Sequence, residues 1–331
     1  MNRTFSLLLF IVFFSTLSTA QTIGGKTLST SWKTIKGKYN PDSTKVNDLV
    51  FVPGGGIFLC STKGLYLYMD TISSFYPLTI NPIIKGGSIS SITTHKNQYY
   101  TAFKDGYGLY RTSDFLKWEA VGSGKLGTGK IQHLYDFDSI LFVCNWQKTI
   151  FTTKDRGNKF VNISVGFATL GKSYVNELAH NKEYIFCSMN NDAIYRLSIK
   201  KSYEWESCKN GLPTDNTTYG DIAVTDKIVM VVTPNGLYSS KNNGSKWDLV
   251  SSAPQNITKL IEYNNILFAG TSKGELLYSE DHGTTWKNIP STELKGLGIT
   301  GIAVSPEGIM VSVDGLSVGK PNYCYYKPFT K

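Results

Sequence analysis

Ser279-Glu280-Asp281-His282-Gly283-Thr284-Thr285-Trp286 is the stretch that decides how this chain folds. It reads S-x-D-x-G-x-T-W and follows the apolar run Leu276-Leu277-Tyr278. In a tight turn Asp bonds its own backbone, and Gly accepts positive φ. The Trp then gives the next strand a large apolar anchor. The stretch recurs with decay. Ser240 to Trp247 keeps the frame, with Asn242 in the Asp place and Gly244 and Trp247 in register. Thr153 to Phe160 keeps Asp155 and Gly157 but ends in Phe. Thr112 to Trp118 is shorter and lacks the Gly, and around Ser202-Tyr203-Glu204-Trp205 only the aromatic anchor survives.

Units built around this turn start at Val46, Ile89, Ile131, Val175, Tyr219, Ile257 and Ile299, at spacings of 43, 42, 44, 44, 38 and 42 residues. Seven units of this length match the four-stranded blades of a propeller. One unit shows the grammar: Ile257 to Ile261 is a first strand, Asn264-Asn265 turns, Ile266 to Gly270 returns, and Ser272-Lys273-Gly274 turns into Glu275 to Tyr278. The opening motif then leads to a fourth strand, Trp286 to Ile289. Tyr219 to Val224 is expected to be the first strand of its unit. The last unit has no Trp anchor, whereas Ser31-Trp32-Lys33-Thr34-Ile35 resembles a fourth strand without a unit. The expected fold is all-β: a seven-bladed β-propeller of four-stranded antiparallel blades, its ring closed by an N-terminal strand that hides open sheet edges. The tail Tyr323-Cys324-Tyr325-Tyr326 competes for that position.

Met1-Asn2-Arg3, an apolar run from Phe5 to Phe14, and Ser18-Thr19-Ala20 read as a secretory signal peptide over residues 1–20. The run is too short to span a bilayer. Residues 21–331 are then one exported propeller domain, secreted or, in a bacterium, periplasmic. The formal net charge is +9, carried mostly by scattered Lys, with only four Arg: Arg3, Arg111, Arg156 and Arg196. No dense basic run points to nucleic acid. The five cysteines, Cys60, Cys144, Cys187, Cys208 and Cys324, cannot all pair within one chain. Three of them end apolar runs at equivalent positions, and Cys187–Cys208 is the one pairing to consider. No zinc spacing and no cofactor motif occurs. The Asn-x-Ser/Thr sequons at Asn162, Asn216, Asn243 and Asn256 matter only in a eukaryotic secretory route.

The turns resemble Asp-boxes, or BNR repeats, found in sialidases, sortilin-type receptors, xyloglucanase-type glycosidases, photosystem II assembly factors and several lectins. The resemblance covers nearly all of the chain after residue 20. It implies a structural role for Asp155, Gly157, Asn242, Gly244, Trp247, Asp281, Gly283 and Trp286, on the rim away from the usual ligand face. It therefore speaks to fold and not to activity. Sialidase chemistry is disfavoured: the family clamps a carboxylate with three Arg, and here Arg111, Arg156 and Arg196 all belong to the outer half of the ring.

Function is sought instead in the channel and its mouth. If first strands line the channel, their third residues are Asp48, Ser91, His133, Glu177, Asp221, Lys259 and Gly301, and their second are Asn47, Ser90, Gln132, Asn176, Gly220, Thr258 and Thr300. Such a polar ring lines a wet channel in any propeller, or else hydrogen-bonds a ligand at its mouth. Asp48, Glu177 and Asp221 are catalytic candidates by position, since a glycosidase needs two carboxylates, one protonated and one ionised. Ligand-binding candidates are Trp146, Gln147, His133, Asn190, Lys104 and Lys259. An exposed Trp beside amides can stack on a sugar. The expectation is a non-enzymatic binding protein that recognises a glycan or an extracellular protein, without metal, cofactor or membrane insertion. A glycoside hydrolase and a protein-interaction scaffold of the photosystem-factor or sortilin kind are the alternatives.

Overall fold

The computed structural model describes residues 21–330 apart from 36–43, 81–86, 123, 127–128, 147, 169–172, 201–203, 214–217 and 320–321. The leader expected over residues 1–20, Gln147 and the sequon at Asn216 lie outside the described residues. Seven four-stranded antiparallel sheets form the ring, with a small hairpin, Thr22–Ile23 with Lys26–Thr27, beside it. The innermost strands are Val46–Val52, Ile89–His95, Ile131–Phe137, Val175–His180, Ile222–Val224, Ile257–Tyr263 and Gly298–Ser305. Three of them turn back through two consecutive residues at positive φ: Lys96-Asn97, Asp138-Ser139 and Asn264-Asn265. Two such residues are what the tight turn of a twisted β-hairpin requires.

The sixth blade shows how the opening motif works. Ser279 Oγ donates to Asp281 Oδ1 at 2.8 Å and accepts the Gly283 N–H at 2.7 Å. The same Asp281 Oδ1 accepts the Thr285 N–H at 2.8 Å. His282 and Gly283 both take positive φ, 56° and 81°. Asp155 and Asn242 make the same bonds to Lys159 and Lys246 at 2.9 Å. In the shortened copy Asp114 accepts from both Leu116 and Lys117. The glycine has a second reason to be there. A Cβ on Gly283 would lie 2.1 Å from Met230 Cε of the preceding blade, and one on Gly157 would lie 2.2 Å from Val121 Cγ1. The turn is therefore both a loop closure and a contact between blades.

The anchors also reach backwards. Trp205 Nε1 donates to Ile163 O at 2.7 Å, Trp247 Nε1 to Cys208 O at 3.2 Å, and Trp32 Nε1 to Pro290 O at 2.9 Å. Each acceptor directly follows the outer strand of the preceding blade. Trp286 packs in the same way but is only partly buried, and its ring nitrogen has no hydrogen-bond partner among the described residues.

Trp32 shows how the ring closes. The last blade runs Gly298–Ser305, Gly308–Asp314, Cys324–Pro328 and then Lys33–Ile35 from the other end of the chain. Both competitors for closure are used: the C-terminal tail is the third strand and the N-terminal strand the fourth, with Lys33 opposite Tyr326 and Ile35 opposite Cys324. The small hairpin fastens this joint, for Ile23 and Leu28 are buried with Trp32 and Ile289, and Glu280 Oε1 accepts the Gly24 N–H at 3.0 Å.

Two expectations need correction. Cys187 and Cys208 are not bridged, and all five cysteines are free and buried. Cys187 packs with Phe142 and Trp205, whereas Cys208 packs with Trp247 and Tyr219, so the two thiols serve different interfaces between blades. The strand expected over Tyr219 to Val224 shortens to Ile222–Val224. Tyr219 is instead buried, with its hydroxyl donating to Pro213 O at 2.7 Å.

Replacing Asp281 with Ala removes acceptors from one turn only and should lower stability by roughly 1 kcal/mol, a few degrees of Tm. Gly283→Ala should cost more, because it adds backbone strain and a clash with Met230. Thermal unfolding followed by circular dichroism checks both the losses and their order.

Candidate functional site

The site begins with a backbone irregularity. Six of the seven innermost strands bulge between their first and third residues. A bulge leaves one residue unpaired and re-aims its neighbours. The unpaired second residues stitch one blade to the next. Asn47 Nδ2 donates to Ile89 O and Thr258 Oγ1 to Ile299 O, both at 2.6 Å, and Asn176 Nδ2 donates to Tyr219 O. Each acceptor is the first residue of the following unit. The second positions are thus largely structural, although Asn47 also borders the channel.

The third residues Asp48, Ser91, His133, Glu177 and Lys259 line a channel cavity of about 470 Å³. Lys259 crosses between blades: its Nζ lies 3.1 Å from Asp221 Oδ2 and 3.9 Å from Glu177 Oε2. Asp221 also accepts the Leu260 N–H at 2.8 Å. Asp48 accepts from Ser91 Oγ at 3.4 Å and from the Leu49 N–H. The Tyr135 hydroxyl bonds to Glu177 and takes the Leu178 N–H. The three bonded amides, on Leu49, Leu178 and Leu260, lie on innermost strands, each of which pairs with one neighbour only.

One lysine serves three carboxylates, and titration follows from that. Burial, helped by Asp221 and Asp48, pushes Glu177 up to about 8 against the pull of Lys259. Burial also raises Asp48. It would lower Lys259, but Asp221, Glu177 and Asp48 outweigh it and hold the ammonium above its ordinary value. Burial beside Lys259 and Lys104 takes His133 down to about 3, so its imidazole is neutral. A protonated Glu177 could donate a proton. Asp221 is already committed to Lys259 and a backbone amide, which leaves it poorly placed as the second carboxylate of a glycosidase.

The mouth above this channel is built by one repeated bond. In five of the seven blades the first residue of the second-to-third-strand loop gives its N–H to the residue just before a unit start: Thr62 to Lys45 O, Lys104 to Ser88 O, Trp146 to Lys130 O, Asn190 to Tyr174 O, Ser272 to Asn256 O. Lys104, Trp146 and Asn190 therefore stand at equivalent places around the rim. Trp146 is 43% exposed. It stacks on Tyr174 at 5.2 Å and 12°, and Lys104 Nζ lies 5.6 Å from its ring centroid. Lys104 is lowered by burial and by nearby Lys45. Beside this ladder Lys148 pairs with Asp192 at 2.9 Å, tying the third blade to the fourth.

The structure thus gathers His133, Glu177, Lys259 and Asp48 in the channel and Trp146 with Lys104 at the mouth. Tyr135 completed the channel group without being singled out, and Tyr174, from the loop that the sequence places on the same face, completed the mouth. Tyr174 directly precedes a unit start and Tyr135 lies two residues beyond a third position, so the repeat register pointed to both. Arg111 and Arg196 stay on the outer half, donating at 2.7 Å to Arg156 O and Asn243 O in the turns of the next blades. His95 lies at the opposite end of the ring, 2.6 Å from Asp136.

Residues 162–297 match the model of the DUF6242 beta propeller domain. The chain is a seven-bladed β-propeller. It superposes on YCF48 bound to D1 peptide with a TM-score of 0.68 and 15% identity, over 91% of this chain and 97% of that one. Virginiamycin B lyase from Staphylococcus aureus, in a catalytically inactive form with quinupristin, gives 0.67 and 12% over 91% and 99%. The GH74 xyloglucanase from Xanthomonas campestris gives 0.61 and 13%, over 86% of this chain and 52% of that one. At these identities the likeness concerns the fold alone. No curated protein matches the sequence.

Two of the shifted channel groups, Glu177 and His133, act on stability in opposite senses. Glu177 is raised from 4.5 to about 8, so its contribution is complete below 4.5 and is lost as pH rises through 8. His133 is lowered from 6.5 to about 3, so its contribution is complete above 6.5 and is lost as pH falls through 3. Between 4.5 and 6.5 the two slopes cancel. Tm against pH should decline on the alkaline side as Glu177 ionises, and Glu177→Gln should remove that decline.

Proposed function

We propose that the protein is an exported, non-enzymatic binding protein of the Asp-box propeller type, taking a protein partner on the face that carries Trp146. The carrying observation is the ladder of Lys104, Trp146 and Tyr174. An exposed Trp stacked on a half-buried Tyr, fixed by backbone bonds and with a cation beside it, has the composition of a protein-binding hot spot. The leader over residues 1–20 supports export. The commitment of Asp221 to Lys259 and to a backbone amide supports a binding rather than a hydrolytic role. YCF48, similar in fold, is described with a bound peptide. A sugar is the weaker ligand, because Tyr174 covers one of the two faces of Trp146 that a pyranose would need.

Trp146→Ala should remove a rim contact without touching a blade core, and so leave Tm within a degree or two. Cross-linking in the medium of the source cells should capture a partner with the native protein and with Asp281→Ala, and at least tenfold less with Trp146→Ala. Capture that is insensitive to Trp146 would sink the mouth as the binding face. Glycan-array binding lost on the same substitution would replace the protein partner with a sugar.

A further inference from the structure

The channel below the mouth carries a charge imbalance that the mouth reading does not use. Asp48, Glu177 and Asp221 stand around one ammonium, and that ammonium pairs with Asp221 and Glu177 only. Among the described residues no cation lies within ion-pair distance of Asp48. His133 also lines the cavity, with no hydrogen bond to protein among the described residues. Below this ring the lining turns aromatic: Tyr135, Phe137, Phe51, Tyr263 and His180, with Phe51 against Tyr263 at 6.4 Å and Phe137 against His180 at 4.3 Å.

We infer that the channel binds one organic cation, an ammonium or guanidinium group, between Asp48, His133 and Glu177 and across from Lys259. Lys259 acts on Asp48 only from beyond ion-pair distance, so a second cation beside Asp48 supplies what one lysine shared by three buried carboxylates leaves unmet. The chain already seats an ammonium of its own in this ring, so the surroundings suit that chemistry. A metal ion fits less well. The described residues contain no group of three or more His, Cys, Asp or Glu close enough to hold one. Carboxylates spread around a cavity of about 470 Å³ suit a polyatomic cation with several N–H donors. The aromatic lining adds attraction for the same charge.

Binding is linked to protons through Glu177. The groups that act on it are Tyr135 and Cys144 from the third blade, Cys187 from its own, Asp221 from the fifth, Lys259 from the sixth and Asp48 from the first. With Glu177 held near 8, a cation that needs its carboxylate must displace a proton at neutral pH. Affinity then rises as pH rises through that value.

Methylguanidinium is the probe, because it keeps its charge across the range, with neutral methylurea as its isostere. Calorimetric titration of the full chain at constant ionic strength should give methylguanidinium binding about tenfold tighter at about pH 9 than at about pH 7. At the lower pH, proton release should appear as a heat that depends on the buffer. Methylurea should show neither effect. Asp48→Asn should weaken binding at both pH values, and Glu177→Gln should abolish the pH dependence, each variant being first checked for a native melting transition. Methylguanidinium binding no tighter than methylurea at about pH 9 would overturn the inference, as would affinity independent of pH in the native protein. Both of those readings need no variant. The site shares no tested residue with the mouth, so Trp146→Ala should leave this titration unchanged.

Discussion

Each innermost strand pairs on one side only and turns a row of backbone amides towards the channel. Buried amides without a partner are expensive, so side chains must meet them. Asp221 bonds Leu260, Asp48 bonds Leu49, and the Tyr135 hydroxyl bonds Leu178. The polar ring is thus a consequence of architecture before it is a feature of function. Carboxylates answer that need well because they accept several bonds, but they bring charge with them. Lys259 answers part of that charge, and the pressure on Glu177 is the remainder.

A second constraint is that the blades must be held to one another as well as to themselves. Three devices recur at fixed places in the unit. The second residue of the first strand crosses to the next blade, as Asn47 and Thr258 do. The anchor indole reaches back to the previous one. The turn glycine admits the previous blade's side chain, Met230 at Gly283 and Val121 at Gly157. Arg111 and Arg196 add a fourth by bonding turns of the following blades. This accounts for the cationic side chains on the outer half of the ring.

The two ends of the ring have accordingly different chemistry. The turn motif and its glycines belong to one end, where packing decides residue identity. Lys104, Trp146 and Tyr174 belong to the other, where one backbone bond recurs between the loops of five blades and the strands beside them. Positions released from packing can carry recognition. Trp146 is one of the exposed aromatic residues there, with Tyr107 in the equivalent loop of the second blade.

Blade number, strand order and the turn chemistry were legible in the residues, because each depends on local rules repeated at a fixed spacing. Asp281 and Gly283 bond and bend within a few residues of themselves, and Trp32 announced a displaced fourth strand by matching Trp286. The third-position residues could likewise be named, since the repeat register alone brings Asp48, Glu177 and Lys259 to the same level. What they do to one another could not be read. The reach of Lys259 to Asp221 and Glu177, the neutral His133, the stacking of Trp146 on Tyr174 and the separation of Cys187 from Cys208 all join different blades or opposite faces of one. Only the closed ring sets those distances, because they depend on burial and on residues from different strands and blades, for which a repeat supplies register but no geometry.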